Sequence, residues 1–181
     1  MGSSFDLSTA ITNLSAAFSN IESLIEAMSY VIGVFFVVKG MMMFKVLATQ
    51  TLSSAQKGDI SGPLIHIFVG TILVWLPSST MTGLETIFNT NTASAASSLV
   101  AYQSLSAVQQ WQDISNVVLQ YTKLVGLIAF IRGWIILSKM SGSGSQPGSV
   151  GKGMIHVIGG ILLINIVDTF NLLAQTLGYT G

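Results

Sequence analysis

The sequence predicts an all-α membrane protein built from two tandem helical hairpins, with about four transmembrane helices. Three observations lead there. Half of the 181 residues are hydrophobic and only 8% are charged, against roughly a quarter in an ordinary soluble domain. Four long apolar stretches divide the chain. Two of those stretches recur in the second half with cation, glycines and histidine at matched places.

The first element is amphipathic. From Asp6 to Ile25, the apolar residues Leu7, Ile11, Leu14, Phe18, Ile21 and Ile25 recur at steps of four and three, with Ser, Thr and Asn between them. That period is helical. Its polar face has no Lys or Arg, so anionic lipid attracts it weakly and protein is the better partner. The first apolar stretch then runs from Ile21 to Phe44 and the second from Pro63 to Leu76. The third runs from Val117 to Leu137 and the fourth from Val150 to Leu177. A spanning helix needs about 20 apolar residues. The first, third and fourth reach that length, and the second does so only by extending past Pro77. A soluble bundle would need polar faces that "YVIGVFFVVKGMMMF" and "LVGLIAFIRGWIIL" lack. Residues 79–98 read as a polar loop, Leu99 to Ile114 as a short helix, and Ser141 to Gly153 as a Gly/Ser turn. The chain divides into a lead helix (1–20), a first hairpin (21–78), a polar loop with a short amphipathic helix (79–116) and a second hairpin (117–181).

The repeat is the most informative feature. "GVFFVVKGMMMF" from Gly33 aligns with "GLIAFIRGWIIL" from Gly126, 93 residues on. "LIHIFVGTIL" from Leu64 aligns with "MIHVIGGILL" from Met154, 90 residues on. Lys39 falls on Arg132, His66 on His156 and Gly70 on Gly160. An even number of spans separates the copies, so the duplication is parallel, unlike the inverted repeats of many transporters. Lys45 and Lys57 fall in the first hairpin loop, Lys139 and Lys152 in the second. Asp6, Glu22, Glu26, Glu85 and Asp113 fall at the opposite ends. The positive-inside rule then places both hairpin loops in the cytoplasm and both termini on the non-cytoplasmic side.

Two groups of residues are candidates for function. Lys39, His66, Arg132 and His156 lie at similar depths, about 9 Å from the loops at 1.5 Å per residue. They form a polar layer, with Lys45, Lys139 and Lys152 at its rim. Two uses fit the layer. The cations reach headgroups while the histidines bond within the helices, or the layer holds a lipid phosphate or a partner's carboxylate. The second group is Gly33, Gly40, Gly70, Gly126, Gly133, Gly159 and Gly160, whose spacing suits close helix packing in lipid.

Other chemistry finds little support. There is no cysteine, so thiolate chemistry is absent. "GSVGKGM" fails the phosphate-loop pattern, because Gln146 replaces its first glycine and Gly153 its Ser or Thr. Two histidines 90 residues apart are poor metal ligands, and no Ser/His/Asp set or carboxylate pair converges by spacing. We expect a non-enzyme without cofactors, with phospholipid as its bound small molecule. With a net charge of zero, no sequence-specific nucleic-acid binding is expected.

"LVGLIAFIRGWIILSK", then the Gly/Ser loop with "QPGSVGKG", then "HVIGGILLINI", together resemble the IcmC/DotE family of type IVB secretion systems. The conjugation relatives of that family are the TraQ-like proteins of I-type plasmid transfer. "SGPLIHIFVG" and "WLP" of the first repeat fit as well. The resemblance covers most of the chain and is closer in the second repeat. It implies a bacterial inner-membrane subunit of an envelope-spanning transfer machine, with other subunits as partners and no catalytic residues. Two readings follow. One is a structural component of the membrane platform, packing with other subunits or with itself. The other is a pilin-like protomer of two fused hairpins that polymerises into a lipid-bound pilus or conduit. A small ion channel or transporter would need a polar stripe through a span, which the sequence lacks.

Overall fold

The structure is a computed structural model and describes residues 7–53, 60–88, 109–141 and 148–178. All its regular elements among those residues are helical. Helix α1 (Leu7–Ser53) runs unbroken for 47 residues, about 70 Å at 1.5 Å per residue. The amphipathic lead and the first span are thus one helix. The reason is in the sequence: this stretch has no proline, and its only two glycines are both packed.

Helix α2 (Ser61–Val74) returns antiparallel along α1 and ends at Trp75. There the chain turns through 94° into α3 (Leu76–Phe88). Helix α4 (Gln109–Ser138) closes with a 3-10 turn at Lys139–Ser141. Helix α5 (Ser149–Ile164) returns antiparallel along α4, breaks at Asn165 and turns through 98° into α6 (Ile166–Thr176). α1 packs mainly on α2 and α4 mainly on α5, while α2 touches α4 and the leads of α1 and α4 touch each other.

The core is narrow. Val69, Leu73, Leu76 and Leu84 meet Leu127, Phe130, Ile131, Val157 and Ile161 within it. Much of the apolar surface points outward instead. Val31, Phe35 and Met42 of α1, Val125 and Ile128 of α4, and Ile155 and Ile158 of α5 are all exposed. A soluble protein buries such residues, and a broad exposed apolar face marks a membrane or protein contact. Thr9–Thr49 and Ile114–Ser138 are each long and apolar enough to cross a bilayer. Each bent pair adds one more span if it counts as one, which gives two to four. Among the described residues the protein is all-helical, with helices long and apolar enough to span a membrane.

Three expectations change. The fourth stretch is not one helix from Val150 to Leu177, because it breaks at Asn165. The polar loop expected from residue 79 is helical as far as Phe88, since α3 uses Leu76, Leu84 and Ile87 as an inward face. The second stretch does not extend straight past Pro77. Its helix stops at Val74, because a proline cannot donate the next backbone bond and its ring obstructs the preceding turn. The proposed helix from Leu99 is described only from Gln109 onward, where it is continuous with the third stretch. Asp6, Lys57, residues 89–98 and residues 142–147 of the Gly/Ser turn lie outside the described residues.

Candidate functional site: two glycine crossings and their polar groups

The two helix pairs cross at glycines, in the same way twice. A Cβ on Gly33 would stand 2.8 Å from the carbonyl oxygen of Gly70, and one on Gly70 would stand 2.7 Å from that of Gly33. In the second half, a Cβ on Gly126 would stand 2.8 Å from the Gly160 oxygen, and one on Gly160 would stand 2.8 Å from the Gly126 oxygen. No real Cβ fits there, so the backbones themselves are in contact. About two turns along, Gly40 sits against Ile67 and the Pro63 carbonyl, and Gly133 against Val157 and the Gly153 carbonyl. Every pair in one half maps onto a pair in the other by the sequence offsets. Gly159 is different: a Cβ there meets nothing within 4 Å. Its open side meets no other helix among the described residues. Gly153, which the sequence did not single out, does pack, against Leu137.

The histidines behave alike. His66 Nδ1 lies 2.9 Å from the Gly62 carbonyl, and His156 Nδ1 lies 2.8 Å from the Lys152 carbonyl. A carbonyl only accepts, so each Nδ1 carries the proton and donates it four residues back in its own helix. His66 is buried, with its ring 5.7 Å from that of Phe36. His156 is half-buried. Lys39 and Arg132 each stand one residue before a packed glycine, Gly40 and Gly133, are exposed, and form no ion pair among the described residues. Lys45, Lys139 and Lys152 are exposed as well.

Both corners are braced by one device. Ser79 Oγ donates to the Ile72 carbonyl at 3.1 Å, and Thr169 Oγ1 shares its proton between the Leu162 and Asn165 carbonyls, each at 2.9 Å. Each hydroxyl sits four residues past its break and reaches seven residues back across it. The breaks have different causes. Pro77 makes the first. At the second, buried Asn165 bonds Asp168 through Nδ2 at 2.5 Å, and Asp168 stands in the first turn of α6. An acid in the first turn suits the start of α6, while Asn165 Oδ1 is buried without a partner among the described residues. The sequence reading missed these corners, although aligning Ser79 with Thr169 only extends the repeat by a few residues.

Two further contacts hold the first half. Ser29 is fully buried, and its Oγ donates to the Leu73 carbonyl at 3.0 Å. That carbonyl would ordinarily accept from the residue four places on, but Pro77 has no N–H. The two lead segments join through Ser15 Oγ to Gln120 Oε1 at 2.9 Å, Phe18 against Tyr121, and Lys123 Nζ to Glu22 Oε1 at 2.6 Å. The lead therefore packs on protein.

No group of three His, Cys, Asp or Glu placed to hold a metal occurs among the described residues. No protein-family model, curated protein or solved structure matches the chain.

Proposed function

We propose that the chain is a non-catalytic structural subunit of a bacterial inner membrane, embedded as two tandem hairpins in an envelope-spanning secretion or conjugative transfer machine. The hairpin loops face the cytoplasm and the termini face the periplasm. One observation carries the structural role: the glycine crossing is built twice under an apolar exterior. Close backbone contact is how helices associate where lipid removes the hydrophobic drive. The histidine protons and corner hydroxyls go to backbone carbonyls, as groups inside a bilayer require. The place in a type IVB secretion or conjugation machine rests on the resemblance of "LVGLIAFIRGWIILSK" and "HVIGGILLINI" to the IcmC/DotE family. Lys39 and Arg132 reach lipid phosphates, which makes bound phospholipid the expected companion.

The second reading is the pilin-like protomer, favoured by the near-copy relation of the two helix pairs. Imaging the assembly purified in mild detergent separates the two. A few copies within a mixed complex support the platform subunit, and a filament of this chain alone overturns it in favour of the protomer.

A further inference from the structure

The boundary between the two halves is formed by one face of α2 and one face of α4. Phe68 of α2 meets Trp134 of α4 edge-on, with ring centroids 5.8 Å apart. Leu127 and Ile131 lie on the same face as Trp134, about two turns and one turn before it, and both are buried. Ile65, Val69 and Leu73 of α2 are packed into the same core.

Shifting these faces by the repeat offsets gives two others. The α2 face becomes Ile155, Ile158, Gly159 and Leu163 on α5. The α4 face becomes Val34, Val38 and Met41 on α1. The counterparts are apolar and largely uncovered, except Leu163, which is half-buried beside Gly126. Ile131 is 9% exposed and its counterpart Val38 is 48% exposed. Val69 is 1% exposed, and Gly159 in its place looks onto open space. Ile65 is partly buried against the core, while Ile155 is 71% exposed. Each half thus carries both faces of one interface, and each leaves the unused face open.

We propose that α5 of one copy docks on α1 of a second copy, repeating head-to-tail the contact that joins the two halves of a single chain. The occupant follows from continuity: the two open faces are counterparts of two faces that already fit each other. Met41 and Ile158 replace Trp134 and Phe68 at the centre, and Gly159 lets the backbones approach. The contact is heterologous, so it closes into a ring or grows as a filament according to its rotation. Lys45 and Lys152 stand where the internal boundary has Ser138 and Gly62. The copy-to-copy contact is therefore the weaker of the two at low salt. The inference rests on the proposed reading in placing both faces in one membrane.

The chain has no cysteine, which permits a direct test. Two differently tagged full-length copies, one Met41→Cys and one Ile158→Cys, are co-expressed and treated in membranes with a short, permeant bis-thiol cross-linker. Both positions are exposed, so neither change disturbs the fold. The expected product is a mixed-tag dimer, with no product from either variant alone. A Met41→Cys homodimer would instead indicate a symmetric contact and overturn the proposal. So would the lack of any cross-link in membranes that retain the protein after alkaline carbonate, the face then belonging to lipid or to another subunit. Release of the protein by carbonate would overturn the membrane reading as well.

Discussion

Gly33 and Gly70 lie backbone to backbone where α1 crosses α2, each within 2.8 Å of where a methyl on the other would meet its carbonyl oxygen. Gly126 and Gly160 repeat the arrangement where α4 crosses α5. The contact leaves room for no side chain at either crossing. Gly70→Ala and Gly160→Ala are each expected to cost about 1–3 kcal/mol through overpacking. Gly159→Ala meets open space and is expected to change little. Melting temperatures of the three variants in one detergent check this, and an equal loss for Gly159→Ala would contradict it.

The Ser29 hydroxyl serves the carbonyl that Pro77 leaves without its helical donor. Ser29→Ala should cost about 1–3 kcal/mol, the penalty for leaving a buried acceptor unsatisfied. The matched position in the second half, Thr122, bonds only within its own helix. Thr122→Val should therefore stay within about 0.5 kcal/mol. The comparison is read from thermal unfolding of the two variants.

The corner brace at Thr169 is testable by the same logic. Thr169→Val removes the donor to Leu162 and should cost about 1 kcal/mol. It should also widen the distribution of distances between spin labels on α5 and α6. A distribution unchanged from the parent would assign the corner to Asn165 and Asp168 alone.

Glu22 and Lys123 are each about a third exposed. Their coupling is expected to be small, about 0.2–1 kcal/mol, and to fall with salt. A double-mutant cycle with Glu22→Gln and Lys123→Met measures it. The charge-swapped pair, Glu22→Lys with Lys123→Glu, should recover most of the coupling.

Lys39 and Arg132 are exposed in the midst of apolar helix surface. If they hold lipid phosphates, Lys39→Ala with Arg132→Ala should lower the phospholipid that co-purifies with the protein. Mass spectrometry of extracted lipid gives the answer, and unchanged content removes that role.

Much of this fold was legible from residue types. The apolar stretches, the helical period of the lead and the repeated glycines are local patterns, and helices follow from local patterns. The crossings were legible too, because a glycine on a packed helix face has few other reasons to recur at a fixed offset. The breaks were harder. Pro77 signals the first, but Asn165 lies in an apolar run whose composition favours a continuous helix, and neither its burial nor its bond to Asp168 can be read from that run. The shared level of the polar layer was legible from spacing, but the role of its histidines was not, because their acceptor is their own helix backbone.

The central claim is that both helix pairs sit in one membrane with the same orientation. Single cysteines at Ala17 and at Ser143, labelled from the periplasmic side with an impermeant maleimide, test it most directly. The account predicts that Ala17→Cys reacts at once and that Ser143→Cys reacts only after the membrane is opened. Labelling of Ser143→Cys from outside in sealed membranes would contradict it.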